Sequence, residues 1–300
     1  MTPTELPELV QCRFLGGRVN GGVAARMRDA LARTEASLHA EFTTLEPAKR
    51  IDPDTGAPTA DFAKWCDVRT VGGYRASAGL HSKGIAVDLD YGENPYIATR
   101  TGQTLGGERA GARLLAMRRD ALAACDRAMT FVARAPATAN LAARGRGEKT
   151  SDVYDRFQSV STALARYLGV MFRKDLPFIH RVPVLNAADA SLGAFDVIDD
   201  DELLPATDAL DALAGMGIKE PPAERLQILR DYELVRAPMC VGAPAASPHV
   251  TRNPARGFLT IPRHVVVALC DAARMRWGAC DFGAAESGDM MHFDLGRRPT

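Results

Sequence analysis

The sequence predicts a mixed α+β fold with a mainly helical middle part, and three observations lead to this prediction. Short β-type runs and turns rich in small residues occur at 66–91 and again at 291–295. Between them, long apolar patterns have the period of a helix. The 300-residue chain is 46% hydrophobic, which is enough to bury a substantial core. The changes between β-type runs and helical patterns divide the chain into segments 1–103, 104–240 and 241–300.

The first predicted element is an amphipathic helix. Asn20 precedes it, and Val23, Met27, Leu31 and Leu38 recur at roughly helical spacing. The turn-forming run DPDTGAPT then predicts a loop. Further along, the run VDLDY predicts a strand.

The middle segment carries the longest helical patterns of the chain. They cover 107–135 and 151–172, and Ser151 is a candidate N-cap for the second. Shorter helical patterns follow at 201–214 and 222–233. We therefore expect this segment to be a helical insertion or subdomain.

The last segment predicts a helix, a loop and a strand in that order. The helix starts near Pro262, the loop is rich in turn-forming residues, and the strand has the sequence MHFDL.

Charge and cysteine content exclude several classes of function. Lys plus Arg number 37 and Asp plus Glu also number 37, so no net charge attracts the chain to nucleic acid. We see no signal peptide and no apolar run near the roughly 20 residues of a membrane span, and the compartment stays open between the bacterial cytoplasm and the cell envelope or extracellular space. The six cysteines form no C-x-x-C pair and have no regular spacing, so they suggest neither a zinc ribbon nor a disulfide framework.

Two distant segments contain the residues that can carry chemistry. In H-S-K-G-I-A-V-D, His81 is followed by Asp88, and Gly84 allows a tight bend between them. In D-M-M-H-F-D, Asp289 stands three residues before His292. A catalytic zinc ion takes about three nitrogen or oxygen ligands and keeps one position open for water. Two histidines and one carboxylate satisfy that requirement.

A hydrolytic metal site also needs a general base close to the metal-bound water. Asp289 is the candidate, because it lies three residues before a predicted ligand. Glu286 is the nearest alternative.

Both segments match one known family. SAGLHSKGIAVDLDY resembles the S-x-H-x-x-G-x-A-x-D signature of the VanY- and VanX-type D-alanyl-D-alanine carboxypeptidases and dipeptidases, a family that includes phage endolysin L-alanyl-D-glutamate peptidases. The stretch from GFLTIPRHVV to GDMMHFD resembles the closing segment of that family, in which a helix leads to a Trp-Gly turn and an acid-x-x-His-Phe-acid strand. The two segments occur in the same order as in the family.

The resemblance implies a role for each candidate residue. His81, Asp88 and His292 correspond to the zinc ligands, and Asp289 corresponds to the catalytic base. Arg75, in GGYR, corresponds to the arginine of the family's S-G-Y-R motif, which orients the substrate and stabilises charge on the carbonyl oxygen.

Two departures from the family pattern leave alternatives open. Gly79 stands where the family usually has serine, so Ser77 is a candidate to supply the missing hydrogen bond to substrate. Arg75 is also closer in sequence to His81 than in most members, which leaves Arg69 as an alternative arginine.

The fold that the resemblance implies is a small antiparallel sheet flanked by helices, the zinc DD-peptidase or Hedgehog-like core, here interrupted by the 104–240 insertion. The implied activity is zinc-dependent hydrolysis of D-amino-acid-containing peptidoglycan stem peptides, first of all as a D-alanyl-D-alanine carboxypeptidase. The alternatives are an L-alanyl-D-glutamate-type endopeptidase, or a binding module whose insertion recognises a partner.

Four further residues have two open interpretations each. Tyr74 and Trp277 either contact substrate or pack in the core. Asp90 and Asp294 each lie two residues from a predicted ligand and point to the same face of their strands. They are either supporting partners of the ligands or surface charges.

Overall fold

A computed structural model describes residues 7–53, 55–76, 79–91, 94, 123–130, 141–169, 258–282 and 288–296. Together these residues form an α+β fold in which helices pack against a small sheet. The helices predicted at 201–214 and 222–233 lie outside the described residues, as do Ser77 and Glu286.

The sheet has six strands in the order β2-β3-β5-β6-β8-β7. Neighbouring strands are antiparallel except for β3 and β5, which are parallel. A separate antiparallel pair consists of β1 and β4. The strands in chain order are β1 (Leu9–Val10), β2 (Arg13–Phe14), β3 (Gly17–Asn20), β4 (Val23–Ala24), β5 (Val71–Gly72), β6 (Ala86–Leu89), β7 (Arg276–Trp277) and β8 (His292–Asp294).

The first helix, α1 (Ala25–Thr44), begins later than its apolar pattern predicts. Val23 belongs to β4 and pairs with Val10, so the first apolar residue of the pattern is in a strand. Met27, Leu31 and Leu38 are buried as the helical spacing predicts. They pack α1 onto the hydrophobic core.

A short second helix, α2 (Phe62–Cys66), follows the loop at 51–58. The Asp61 side chain caps it by accepting a hydrogen bond of 2.9 Å from the backbone N–H of Ala63. The buried Trp65 on this helix stacks on the ring of His264, with 3.8 Å between ring centroids.

Helix α3 (Thr150–Gly169) starts one residue before Ser151, which therefore lies in the first turn and is not the N-cap. Its buried face packs on the last segment of the chain. The Tyr154 hydroxyl donates to the carbonyl of Ile261 at 2.8 Å, and the Ser161 hydroxyl accepts the backbone N–H of Phe258 at 2.9 Å. The described part of the 104–240 segment thus shares a core with 258–296.

Helix α4 (Arg263–Val267) begins near Pro262, as the sequence predicts, and Pro262 is its N-cap. It continues into a π-helical turn, Ala268–Ala272, and the chain then enters β7. Within the described ranges, none of the helices combines the length and the apolar character that crossing a bilayer requires.

A buried ion pair joins the 141–150 segment to the turn after β7. Arg144 Nε lies 2.7 Å from Asp281 Oδ1, and Asp281 Oδ2 accepts the backbone N–H of Trp277 at 3.0 Å. The Trp277 side chain is fully buried and stacks with the ring of Tyr154 on α3. This network fixes the turn that leads towards the second predicted half of the site.

Candidate metal centre

A tight turn places His81 next to β6. His81–Lys83 form a single 3₁₀ turn that ends at Gly84, whose φ of 65° is costly for other residues. A Cβ atom at Gly84 would also lie 2.8 Å from the backbone nitrogen of Ala24. Glycine is therefore required here for conformation and for space, and the turn leads directly into the strand that carries Asp88.

Strand pairing brings His292 next to Asp88. β6 and β8 are antiparallel neighbours, and their register sets Asp88 directly opposite His292. Directly paired residues of two strands have neighbouring side chains on the same face of the sheet. The β6–β8 register therefore juxtaposes residues that are 204 positions apart in the sequence.

The three side chains converge through one atom each. His81 Nε2 lies 3.1 Å from Asp88 Oδ1 and 3.1 Å from His292 Nδ1, and His292 Nδ1 lies 3.0 Å from Asp88 Oδ1. All three residues are at most 9% exposed. They form a small, nearly buried triangle of ligand atoms.

A hydrogen bond sets the tautomer of His81. Its Nδ1 lies 2.7 Å from the carbonyl oxygen of Gly73, and a carbonyl can only accept, so Nδ1 carries the hydrogen. Burial, reinforced by the neighbouring His292, lowers the pKa of His81 to about 3. At neutral pH the ring is uncharged, and Nε2 presents a lone pair to the centre of the triangle.

Asp294 sets the tautomer of His292 in the same way. His292 Nε2 lies 3.2 Å from Asp294 Oδ2. Burial alone would raise the pKa of Asp294, but hydrogen bonds from His292 and Arg276 hold this pKa below its usual value. The ionised carboxylate accepts the hydrogen of Nε2, so Nδ1 is left as the ligand atom.

These tautomers leave three electron-pair donors facing one another. Two lone pairs and one carboxylate oxygen at 3.0 to 3.1 Å repel each other unless a cation lies between them. A tetrahedral ion with bonds of 2.0 to 2.1 Å would separate its ligand atoms by about 3.3 to 3.4 Å, which a small outward shift allows. His81, Asp88 and His292 could therefore hold a metal ion.

Arg75 lies beside this triangle. The Arg75 guanidinium pairs with Oδ2 of Asp88, the oxygen that does not face the histidines. Burial lowers the pKa of Arg75, and attraction to Asp289 opposes this effect. Arg69 pairs instead with Asp67 at 3.2 Å.

Asp289 is held against the Trp-Gly turn. Its backbone N–H donates to the carbonyl of Gly278 at 3.2 Å, and the Gly278 N–H donates to the carbonyl of His292 at 2.8 Å. A Cβ atom at Gly278 would lie 2.8 Å from the Asp289 carbonyl oxygen and 3.1 Å from the His292 Cβ. The glycine therefore allows Asp289 and His292 to approach the same turn.

The two aromatic candidates occupy different environments. Trp277 is fully buried, and its Nε1 donates to the carbonyl of Met290 at 2.9 Å. A substrate-contacting role for Trp277 does not fit this burial, because the ring packs between core aromatic residues. Tyr74 is half-buried, and its backbone N–H donates to the carbonyl of Gly22 at 2.9 Å.

The two flanking acids also differ. Asp294 bonds a ligand histidine, but Asp90 accepts the backbone N–H groups of Arg69 and Thr70, both at 2.8 Å. Asp90 is thus not a surface charge: it is buried, and it orders the chain before β5.

Sequence reasoning did not identify three residues that support the ligands. These are Gly73, through its carbonyl, and Arg276 and Phe282, which lie behind His292. A backbone carbonyl leaves no trace in a sequence pattern. Arg276 was missed because its position opposite Asp294 depends on the pairing of β7 with β8, which local sequence patterns do not reveal.

No protein-family model, no curated protein and no solved structure matches the chain. The likeness to the zinc DD-peptidases is therefore carried by the two motifs of the sequence.

Proposed function

We propose that the protein is a zinc-dependent peptidase that hydrolyses D-amino-acid-containing peptides of peptidoglycan. Among the bonds of these peptides, we propose the terminal D-alanyl-D-alanine bond as the one that it cleaves. The observation that carries this proposal is the buried triangle of His81, Asp88 and His292, in which each histidine is held in the tautomer that a metal requires. The two family-like motifs that contribute these residues supply the substrate class.

Zinc suits this set of donors. Two imidazoles and one carboxylate form a three-ligand nitrogen and oxygen site, which is the arrangement of catalytic zinc sites. Hydrogen bonds to the outer nitrogens of ligand histidines are typical of such sites. When bound, zinc supplies a Lewis acid and a water molecule of lowered pKa.

The protein's own groups provide proton transfer and substrate orientation in this proposal. The Asp289 carboxylate takes the proton of the attacking water and returns it to the nitrogen of the leaving amine. The Arg75 guanidinium offers a rigid fork of N–H donors to the carbonyl oxygen as it gains negative charge, or to the terminal carboxylate of the peptide. Attraction to the Asp289 carboxylate raises the pKa of Arg75, against the lowering effect of burial.

The experiment that tests the proposal combines metal content with product analysis. Protein reconstituted with zinc would be compared with His81→Ala by mass spectrometry of bound metal, and both would be incubated with D-Ala-D-Ala-terminated muropeptides. His39→Ala is the matched control, because His39 is exposed and stacks on Phe62 away from the triangle. We expect one zinc ion per chain in the wild type and the control, none in His81→Ala, and release of D-alanine only where zinc is bound.

Other products would change the assignment within the same site. Cleavage of intact peptidoglycan at the L-alanyl-D-glutamate bond, without release of D-alanine, would identify an endopeptidase. Bound zinc without any cleavage would favour a binding module built on a peptidase core. Absence of metal from reconstituted wild-type protein would overturn the proposal.

A further inference from the structure

Three neighbouring side chains and His292 form a closed ring of contacts. His292 Nε2 contacts Asp294 Oδ2 at 3.2 Å, and Asp294 in turn binds Arg276 through both carboxylate oxygens. The Arg276 guanidinium also lies over the ring of Phe282, 4.9 Å from its centroid. The Phe282 ring meets the His292 ring edge to face, with 5.2 Å between centroids. Arg276 is thus connected to His292 by two separate routes.

The geometry of Arg276 is specific to a guanidinium group. Its Nε lies 2.8 Å from Asp294 Oδ1 and its Nη2 lies 3.0 Å from Asp294 Oδ2, so two parallel N–H groups fix the carboxylate plane. A Cβ atom at Gly296 would overlap the guanidinium, so glycine at this position leaves space for it. Asp294 is fully buried, so it cannot exchange Arg276 for water.

The orientation of Asp294 decides which nitrogen of His292 is free. With Asp294 accepting the Nε2 hydrogen, Nδ1 keeps its lone pair and faces Asp88 and His81. In the other tautomer, the Nδ1 hydrogen would point at Asp88 Oδ1, 3.0 Å away, and would form a hydrogen bond that occupies both ligand atoms. That tautomer would compete directly with a metal ion.

We propose that Arg276 is a positioning residue that holds His292 in its metal-binding tautomer, through Asp294 on one side and Phe282 on the other. The inference rests on the metal site of the proposed function. It adds that this site depends on an arginine that does not belong to the ligand set.

The test compares Arg276→Gln and Arg276→Lys with Arg263→Gln. Arg263 forms a similar two-bond pair with Asp155, at 2.9 and 3.2 Å, but on the surface and away from the triangle. Zinc affinity would be measured by competition with a chromophoric chelator. We expect Arg276→Gln to bind zinc about 10 to 100 times more weakly, as for other partners of ligand residues. Lysine keeps the charge but lacks the fork, so Arg276→Lys should recover only part of the loss, and Arg263→Gln should match the wild type.

A second measurement reads the tautomer without metal. Nitrogen-15 NMR of the histidine rings in metal-free protein distinguishes an Nε2–H from an Nδ1–H imidazole. We expect His292 to be Nε2–H in the wild type and in Arg263→Gln, and a mixture in Arg276→Gln. Phe282→Leu, which removes only the ring contact, should shift the mixture less.

The two readouts separate the two proposals. Wild-type protein that binds no zinc would overturn the proposed function, while the NMR comparison would still decide the role of Arg276. An Arg276→Gln protein with wild-type zinc affinity and an unchanged Nε2–H ring would overturn the inference and leave the metal site intact.

Discussion

Arg75 pairs with the outer oxygen of Asp88, while the inner oxygen of the same carboxylate faces both histidines. One carboxylate therefore connects the triangle to the guanidinium group beside it. This contact favours Arg75 over Arg69, the alternative that the sequence left open, for which the structure shows an ion pair with Asp67.

We expect Arg75→Gln to lower kcat/KM for a D-Ala-D-Ala peptide by about 100- to 1000-fold, the usual effect of removing a donor to a developing oxyanion. Arg69→Gln should stay within a few-fold of the wild type. Steady-state kinetics of both variants would measure this, and bound metal would be counted in parallel. Equal losses in the two variants would contradict the assignment of Arg75.

Replacement of Asp289 should separate metal binding from turnover. Asp289→Asn keeps the shape of the side chain but removes its ability to take a proton. We expect one zinc ion per chain and a fall in kcat of roughly 100- to 10,000-fold, the range for general bases. Measurement of kcat and metal content on the same sample gives both values. Undiminished turnover in Asp289→Asn would assign the base to another residue.

The Trp-Gly turn should tolerate no side chain at Gly278. In Gly278→Ala, the new Cβ would press on the carbonyl of Asp289 and on the Cβ of His292. We expect weaker zinc binding and a loss of about 1 to 3 kcal/mol in the free energy of unfolding, as for other overpacked sites. The matched control is Gly17→Ala, where the added Cβ would meet its nearest atom at an ordinary 3.5 Å. Chelator competition and urea unfolding would test both.

The sequence predicted the meeting of His81, Asp88 and His292 from two short motifs, and the structure brings the three together. It also predicted a helix that starts near Pro262, and α4 begins at Arg263. It did not predict the pairing of Val23 with Val10, because a helical period cannot reveal that a neighbouring segment offers strand hydrogen bonds. Such long-range choices depend on tertiary contacts, which local patterns do not contain.

The same limit applies to Arg144 and Asp281, which are 137 positions apart and form a buried pair. Arg144→Ala would leave the Asp281 carboxylate buried without its cation, so we expect a loss of about 3 to 5 kcal/mol in the free energy of unfolding. Arg263→Ala breaks an exposed pair with Asp155 and should cost no more than about 1 kcal/mol. Chemical denaturation of the two variants tests the difference.

His264 should make the stability of the protein depend on pH. Burial lowers its pKa from 6.5 to about 4. Between these values the unfolded chain binds a proton that the folded chain does not, so stability is full above pH 6.5 and falls as the pH drops towards 4. The contribution of this group is at most about 1.4 kcal/mol per pH unit.

We expect His264→Phe to reduce the acid loss of stability in metal-free protein, measured as Tm from pH 7.5 to 4.5. Phe62→Leu removes an aromatic ring that packs on Trp65, the residue on which His264 stacks, without removing a titrating group. It should lower Tm by a similar amount at each pH. Parallel curves for wild type and His264→Phe would show that His264 does not control the acid response.

The β6–β8 register has a consequence for how the site comes into being. Asp88 and His292 are cross-strand neighbours, yet almost the whole middle of the chain separates them in sequence. An ion bound by both residues would cross-link the two ends of a very long loop. The entropic stabilisation that such a cross-link provides grows with the length of the loop. Residue 292 would have to leave the ribosome before any such ion could bind both residues, so metal binding would follow the pairing of β8 with β6.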